Sequence, residues 1–314
     1  GSVAAKDLEG VMSSRPTLLY ILAPSFSGST LLSYLLAQHD AISTIGELKA
    51  TRMGDVSSYV CSCGSLIRDC GFWSAVGMKS KEAGLDFSVD RFGTVFRGDN
   101  LLADRIVQTG VRGAWFEAAR DVAIRVVPGA WSAVARIAHY NSALVRIICD
   151  LQGGPIFLDG SKDSVRLKYL IDAGLWQMRV IYLQRDGRGV SNSFKAHRNL
   201  THEQAVQVWR EGAGELQRMR RRLDPETVID LHYEDLCRQP KETLQQVWRW
   251  LGIDDKLIQL NFKQGDFHIL GNTMRLTNTS EIRLDECWRS ALSMQDLAAF
   301  EQWGGALNRE LGYE

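Results

Sequence analysis

Hydrophobic positions in this chain fall in short runs separated by stretches with helical spacing. The first run, Leu18 to Ala23, reads as a buried strand. Pro24 to Ser29 are small or turn-forming apart from Phe26, and Thr30 to Leu36 then reads as a helix with an inward apolar face. Three further runs come much later: Ile156 to Leu158, Val180 to Leu183 and Val228 to Leu231. Helical patterns separate them, over Arg166 to Ala173, Gly189 to Ala196 and Thr201 to Leu223. Strands alternating with helices predict an α/β fold with a parallel sheet covered on both faces. Residues 86–150 differ: apolar and charged positions alternate at helical spacing with no strand signal, so a helical insertion beside the sheet is expected. Gln239-Pro240 opens another helix, Glu242 to Leu251, stopped by Gly252; Ser293 to Tyr313 is a last one.

Composition narrows the class. The 314 residues are 45% hydrophobic and 24% charged, ordinary values for a globular protein with a sizeable core. Net charge is zero, which removes the simplest argument for a nucleic-acid partner. No apolar run reaches the roughly 18–20 residues of a membrane-spanning helix. Six cysteines, three of them scattered among apolar neighbours, point to a reducing compartment, so a cytoplasmic location is expected. Gly1-Ser2 reads as a tag remnant, so a native targeting segment is not excluded. Oligomeric state is not legible.

Two segments carry candidate chemistry. Ser27-Gly28-Ser29-Thr30 lies between a strand and a helix N-terminus, where unpaired backbone N–H groups and the helix dipole favour an anion. The alternative is a helix cap that binds nothing. It is not the nucleoside-triphosphate loop, because Ser29 stands where that motif needs lysine. The second segment, Arg185-Asp186-Gly187-Arg188 followed by Ser193, sits at another strand-to-helix junction and offers guanidinium forks suited to phosphate. Alone it would read as a surface Arg-Asp pair.

Together the two segments resemble the sulfotransferases that use 3′-phosphoadenosine 5′-phosphosulfate. The resemblance implies that Ser27 to Thr30 hold the 5′-phosphosulfate, and that Arg185 and Ser193 hold the 3′-phosphate. Further matches are to the tyrosylprotein-sulfotransferase-like branch. Gly46-Glu47 looks like its general base, and Lys162-Asp163 like its sulfonate-steadying lysine, with Lys168 six residues on. His232 to Leu236 resembles the segment whose tyrosine, here Tyr233, lines the nucleotide site. Gly271-Asn272 with Arg275 looks like a loop that closes on the nucleotide. The resemblance covers about Leu18 to Glu47, Ile156 to Leu251 and part of the tail. It implies a P-loop-like three-layer domain over 15–314; it does not cover residues 75–150, where the helical insertion is expected to shape the acceptor pocket. Phe26 departs from the family, which places a lysine or arginine there; its charge is missing from the sulfonate clamp and more falls on Lys162. His39-Asp40 and Asp163-Ser164 depart too, each lacking the usual proline.

The implied reaction is in-line transfer of a sulfonate to an acceptor hydroxyl, with positioning and electrostatics supplied by the protein and no metal required. Glu47 would take the acceptor proton, and burial should raise its pKa. The acceptor is unidentified: a small molecule, sugar, lipid or phenol. Trp115, Phe116, Trp131 and Tyr140 are candidate pocket walls, though a core role serves aromatics as well. The alternatives are a P-loop phosphotransferase, which lacks a visible lysine and magnesium ligands, and a nucleotide-binding protein with a degenerate site.

Cys61, Cys63 and Cys70 form a cluster. Three thiols could hold zinc with a distant His or Cys; Cys70 could form a disulfide with either partner; or the segment could be a reduced structural turn. Cys-x-Cys is not the usual Cys-x-x-Cys knuckle and no fourth ligand lies nearby in sequence. The expectation is therefore a structural turn of free thiols, without metal.

Overall fold

The computed structural model describes residues 15–50, 53–255, 260–263, 265, 267–271, 273–277 and 279–314, with backbone only at 273 and 275. Five strands form one parallel sheet in the order β2-β3-β1-β4-β5. They are β1 (Thr17–Leu22), β2 (Ile42–Thr44), β3 (Ile156–Lys162), β4 (Gln177–Gln184) and β5 (Val228–His232). The predicted α/β class holds: helices cover both faces.

Alternation along β1 explains the two cores. Leu18, Tyr20 and Leu22 point into one apolar cluster, Leu19 and Ile21 into the other. The second cluster is closed by α1 (Ser29–Leu36), through Leu32, Leu35 and Leu36, and by α10 (Pro240–Leu251), through Leu244, Val247 and Trp248. The first takes Leu167 and Leu170 of α6 (Ser164–Ala173) and Val206 and Trp209 of α8 (His202–Arg220). It also takes Trp73 of α2 (Gly71–Glu82) and Leu144 and Ile148 of α5 (Trp131–Gln152). At about 25 cal/mol per Å² of apolar surface removed from water, such two-sided burial makes the sheet the stable centre.

Between β2 and β3 the chain is helical: α2, α3 (Leu101–Gln108), α4 (Ala114–Val126) and α5. After β4 come α7 (Gly187–Arg198) and α8; after β5 come α9 (Tyr233–Arg238) and α10. The tail forms the short α11 (Trp288–Ala291) and then α12 (Met294–Glu310). Ser293 caps α12, and its carboxylate partner Asp296 bonds back to the Ser293 N–H in a capping box. Among the described residues no helix is long and apolar enough to cross a membrane.

β3 runs four residues further than its apolar run predicts. Thr44 Oγ1 donates to Leu158 O at 2.7 Å, and Gly160 N donates to Gly46 O at 2.7 Å. The polar end of β3 is thus tied to the chain leaving β2. A Cβ on Gly160 would sit 3.1 Å from both Gly46 O and Ser33 Oγ, so only glycine lets these three segments meet this closely.

Candidate active site

The phosphate loop follows β1 and ends at Gly28, the N-cap of α1, whose φ is 82°. The first N–H groups of α1 have no acceptor within the helix and face outward with the positive end of its dipole. Ser27 Oγ donates to Pro24 O at 2.7 Å, which tightens the turn. A Cβ on Gly28 would lie 2.4 Å from Cδ2 of Tyr233, so the ring of Tyr233 packs directly on the loop. Arg185 stacks on that ring, 4.5 Å from its centroid, and donates through Nη1 to Phe26 O at 2.6 Å. The two candidate anion-binding segments read from the sequence are therefore one structural unit joined by Tyr233. Burial first, with nearby Cys237 adding, pushes the Tyr233 phenol well above its ordinary pKa, so it stays a neutral donor. Its hydroxyl donates to Arg283 O at 3.3 Å and accepts from Asp285 N at 3.1 Å.

Phe26, left-handed at φ 63°, turns its ring onto α7, edge-on to Phe194 at 5.1 Å and beside His197 at 4.9 Å. Ser193 is half-buried on α7, and its hydroxyl donates to Gly189 O at 3.0 Å. Arg188 is held by a bidentate pair with Asp186 and lies over Trp288, so it serves the fold of this corner. The side chain of Arg275 and all of Asn272 lie outside the described residues.

Glu47 and Lys162 meet at the end of β3: Lys162 Nζ donates to Glu47 Oε1 in a pair about nine-tenths buried. Ser29, Thr30, Gly46, Glu47 and Lys162 line one crevice, so the head of α1 opens onto this pair. Lys162 has φ 67°, a conformation that costs a residue with a Cβ roughly 1 kcal/mol or more and persists because its surroundings fix it.

Those surroundings are a buried network. Asp159 pairs with Nε of Arg166 at 2.9 Å, both side chains essentially without solvent. Asp159 Oδ1 also accepts from Leu48 N at 3.2 Å and from Ser161 N at 3.0 Å. Arg166 donates to Thr94 O and Asn141 Oδ1, each at 2.7 Å. One residue further, Lys49 N donates to Ser161 Oγ at 2.9 Å, and the Lys49 ammonium pairs with Asp163. Burial raises the Asp163 pKa, but Lys49 and the N–H and charge of Arg166 outweigh it and hold the carboxyl below its usual range. Sequence reading missed Asp159, Arg166 and Lys49; a buried Asp and Arg on an apparently polar stretch leave no periodic signal. Lys168 points elsewhere, paired with Asp121 at 2.6 Å and Asp172 at 3.2 Å.

A cleft of about 490 Å³ opens from the Glu47–Lys162 pair, within the usual range for a small-molecule site. Its apolar wall includes Phe96, Val107, Phe194, Val208 and Trp209; Lys49, Arg198 and Glu215 bring charge. The four aromatics expected as pocket walls do not line it. Trp115 is 92% exposed, Phe116 lies under Arg112, and Tyr140 donates to Asp86 O. Trp131 is the first residue of α5 and is exposed. Helical spacing put them on surfaces without saying which surface meets the sheet.

Comparison with known proteins bears on this arrangement. Residues 130–256 match the model of a sulfotransferase family. No curated protein sequence matches. Among solved structures, the chain is similar to the sulfotransferase domain from the curacin biosynthetic pathway, at 19% identity over 96% of this chain and 99% of that one, with a TM-score of 0.50. It is also similar to the sulfotransferase domain of the Synechococcus PCC 7002 olefin synthase (19% identity, 96% and 97% covered, TM-score 0.48). A third likeness is to sulfotransferase STF9 from Mycobacterium avium (15%, 99% and 80%, TM-score 0.47). Residues 130–256 thus carry the sequence pattern of the sulfotransferase family, and they do so within the fold of a sulfotransferase domain.

Proposed function

We propose that this chain transfers a sulfonate group from 3′-phosphoadenosine 5′-phosphosulfate to a hydroxyl of an acceptor seated in the cleft beside Glu47. The observation that carries the reading is the Glu47–Lys162 pair, set where the phosphate loop meets the cleft. Ser27, Gly28, Ser29 and Thr30 hold the 5′-phosphosulfate; Arg185 and Ser193 hold the 3′-phosphate, with Tyr233 as the platform between them. The acceptor oxygen attacks sulfur in line with the bond to the leaving phosphate oxygen. Its proton passes to Glu47, the new O–S bond forms, and adenosine 3′,5′-bisphosphate leaves with the electron pair.

Lys162 has two partners in this scheme. Without donor it neutralises Glu47; with donor it turns to the sulfonate and leaving oxygen, where positive charge is worth most in the transition state. That move frees Glu47 to accept a proton. The apolar wall favours an acceptor with an apolar body. No step calls on a metal.

Titration calorimetry tests the donor class: adenosine 3′,5′-bisphosphate should bind well and ATP with magnesium weakly. Preference for ATP would make the chain a phosphotransferase, and binding of neither would leave a degenerate site. Glu47→Gln should cut turnover by about 10²–10⁴ while bisphosphate affinity stays within a few-fold. Equal losses in both would remove the general-base role.

A further inference from the structure

The hairpin 59–67 and the start of α2 bring three thiols to one point, and the chain returns from its C-terminal third to add an imidazole. Cys61, Cys63, Cys70 and His268 place their ligand atoms all within 4.8 Å of one another. Cys63 Sγ and Cys70 Sγ are 3.6 Å apart; His268 Nδ1 is 3.5 Å from Cys61 Sγ and 3.3 Å from Cys70 Sγ. A tetrahedral zinc with Zn–S of about 2.3 Å and Zn–N of about 2.05 Å requires S···S edges of about 3.8 Å and S···N edges of about 3.6 Å. These three spacings come within about 0.3 Å of the edges of such a tetrahedron, and the Cys63–Cys70 separation of 3.6 Å is well beyond a disulfide's S–S bond of about 2.05 Å.

The surroundings are built for it. Cys61, Cys70 and His268 are buried. Gly64, at φ 92°, donates to Cys61 O at 2.9 Å, and Cys61 N donates to Ser65 O at 2.8 Å; this turn aims Cys61 and Cys63 at the same point. Cys70 is the N-cap of α2, so the head of that helix sets its position. The His268 ring is stacked on Phe72, centroids 4.4 Å apart and planes 3° from parallel, which fixes its direction. Ser62, between the two hairpin cysteines, donates to Phe267 O at 2.6 Å and accepts from Ile269 N at 2.7 Å, gripping both neighbours of His268.

We propose that Cys61, Cys63, Cys70 and His268 bind one zinc ion as a closed structural site, stapling the hairpin to the strap 267–271. Three thiolates and a neutral imidazole fill the four positions of a structural zinc centre, and binding releases the thiol protons. The strap is what the ion secures. Leu270 N donates to Ile45 O at 2.7 Å, Leu270 bridges Gly46, and a Cβ on Gly271 would stand 3.2 Å from Glu47 Oε1. The ion therefore holds in place the backbone that covers Glu47. The site is read from ligand geometry alone and stands whether or not the chain transfers sulfonate.

The test is metal analysis of the full-length protein, purified without chelator, beside its cobalt-exchanged form. About one zinc per chain is expected, with a tetrahedral cobalt spectrum carrying thiolate charge-transfer bands. Cys63→Ser and His268→Ala should each cut zinc content several-fold or more, whereas Cys149→Ser, on α5, should keep it. Chelation of the wild type should lower Tm and make the three thiols reactive. No stoichiometric zinc and no cobalt uptake by reduced wild type would overturn the proposal, as would a Cys63–Cys70 disulfide in peptide mass spectra. Full zinc retention in both ligand variants would overturn it too.

Discussion

Arg185 and Asp285 form a salt bridge beside Tyr233, Nη2 to Oδ2 at 2.8 Å, and the same nitrogen donates to Asp285 O at 2.9 Å. The proposed ligand of Arg185 is a phosphate, so the Asp285 carboxylate competes for the same fork of donors. Asp285→Asn should tighten adenosine 3′,5′-bisphosphate binding several-fold by calorimetry, about 1 kcal/mol. Arg185→Ala should weaken it by about 2–5 kcal/mol, the cost of removing one partner of a buried charge pair. Unchanged affinity in both would take Arg185 out of the site.

Gly28 and Tyr233 are in van der Waals contact through a missing side chain. Gly28→Ala adds a methyl to a residue at φ 82° and drives it into the ring. Stability should fall by about 1–3 kcal/mol in urea unfolding, with loss of bisphosphate binding. The double variant Gly28→Ala/Tyr233→Leu should recover part of the stability; no recovery would mean that the backbone alone sets the cost.

The Asp159–Arg166 pair is dry, so neutralising one member strands the other. Arg166→Met should cost about 3–5 kcal/mol in unfolding free energy. Because Asp159 also fixes Leu48 N, turnover should fall further than the loss of folded protein accounts for. Equal falls would confine the pair to stability.

Asp163 gives a pH signature. Its folded pKa lies below the unfolded one, so its contribution is complete above the ordinary carboxylate range and is lost as pH falls through the depressed value. Lys49→Met removes the main lowering charge. The variant should be less stable than wild type near neutrality, and the gap should close on acidification below about pH 4. A gap that stays constant down to pH 2 would assign the loss to packing.

Legibility in the sequence followed periodicity. Leu18 to Ala23 and Val180 to Leu183 announce strands because parallel strands buried on both faces are continuously apolar. Ile42–Thr44 is too short to produce a pattern, and Asp159-Gly160-Ser161 lies beyond the apolar run although it continues β3. What makes it a strand is the company of Arg166, Leu48 and Gly46, all tertiary partners. Glu47 and Lys162 stand out only because they resemble a family's motifs, whereas Arg185 is also marked locally by its place at a strand-to-helix junction. His268 escaped because its partners lie in the first quarter of the chain, and Phe72 and Ser62, which orient it, have no sequence relation to it.

The parallel bridge between Gly46 and Leu270 also sets an order in time. A ribosome delivers β1 and Glu47 well before the strap that covers Glu47. Until then the carboxylate stands open to water, and α12, whose Asn308 accepts from Gly187 N beside Arg185, has not been made. A chain stopped before the strap would thus display the Glu47 carboxylate without this cover.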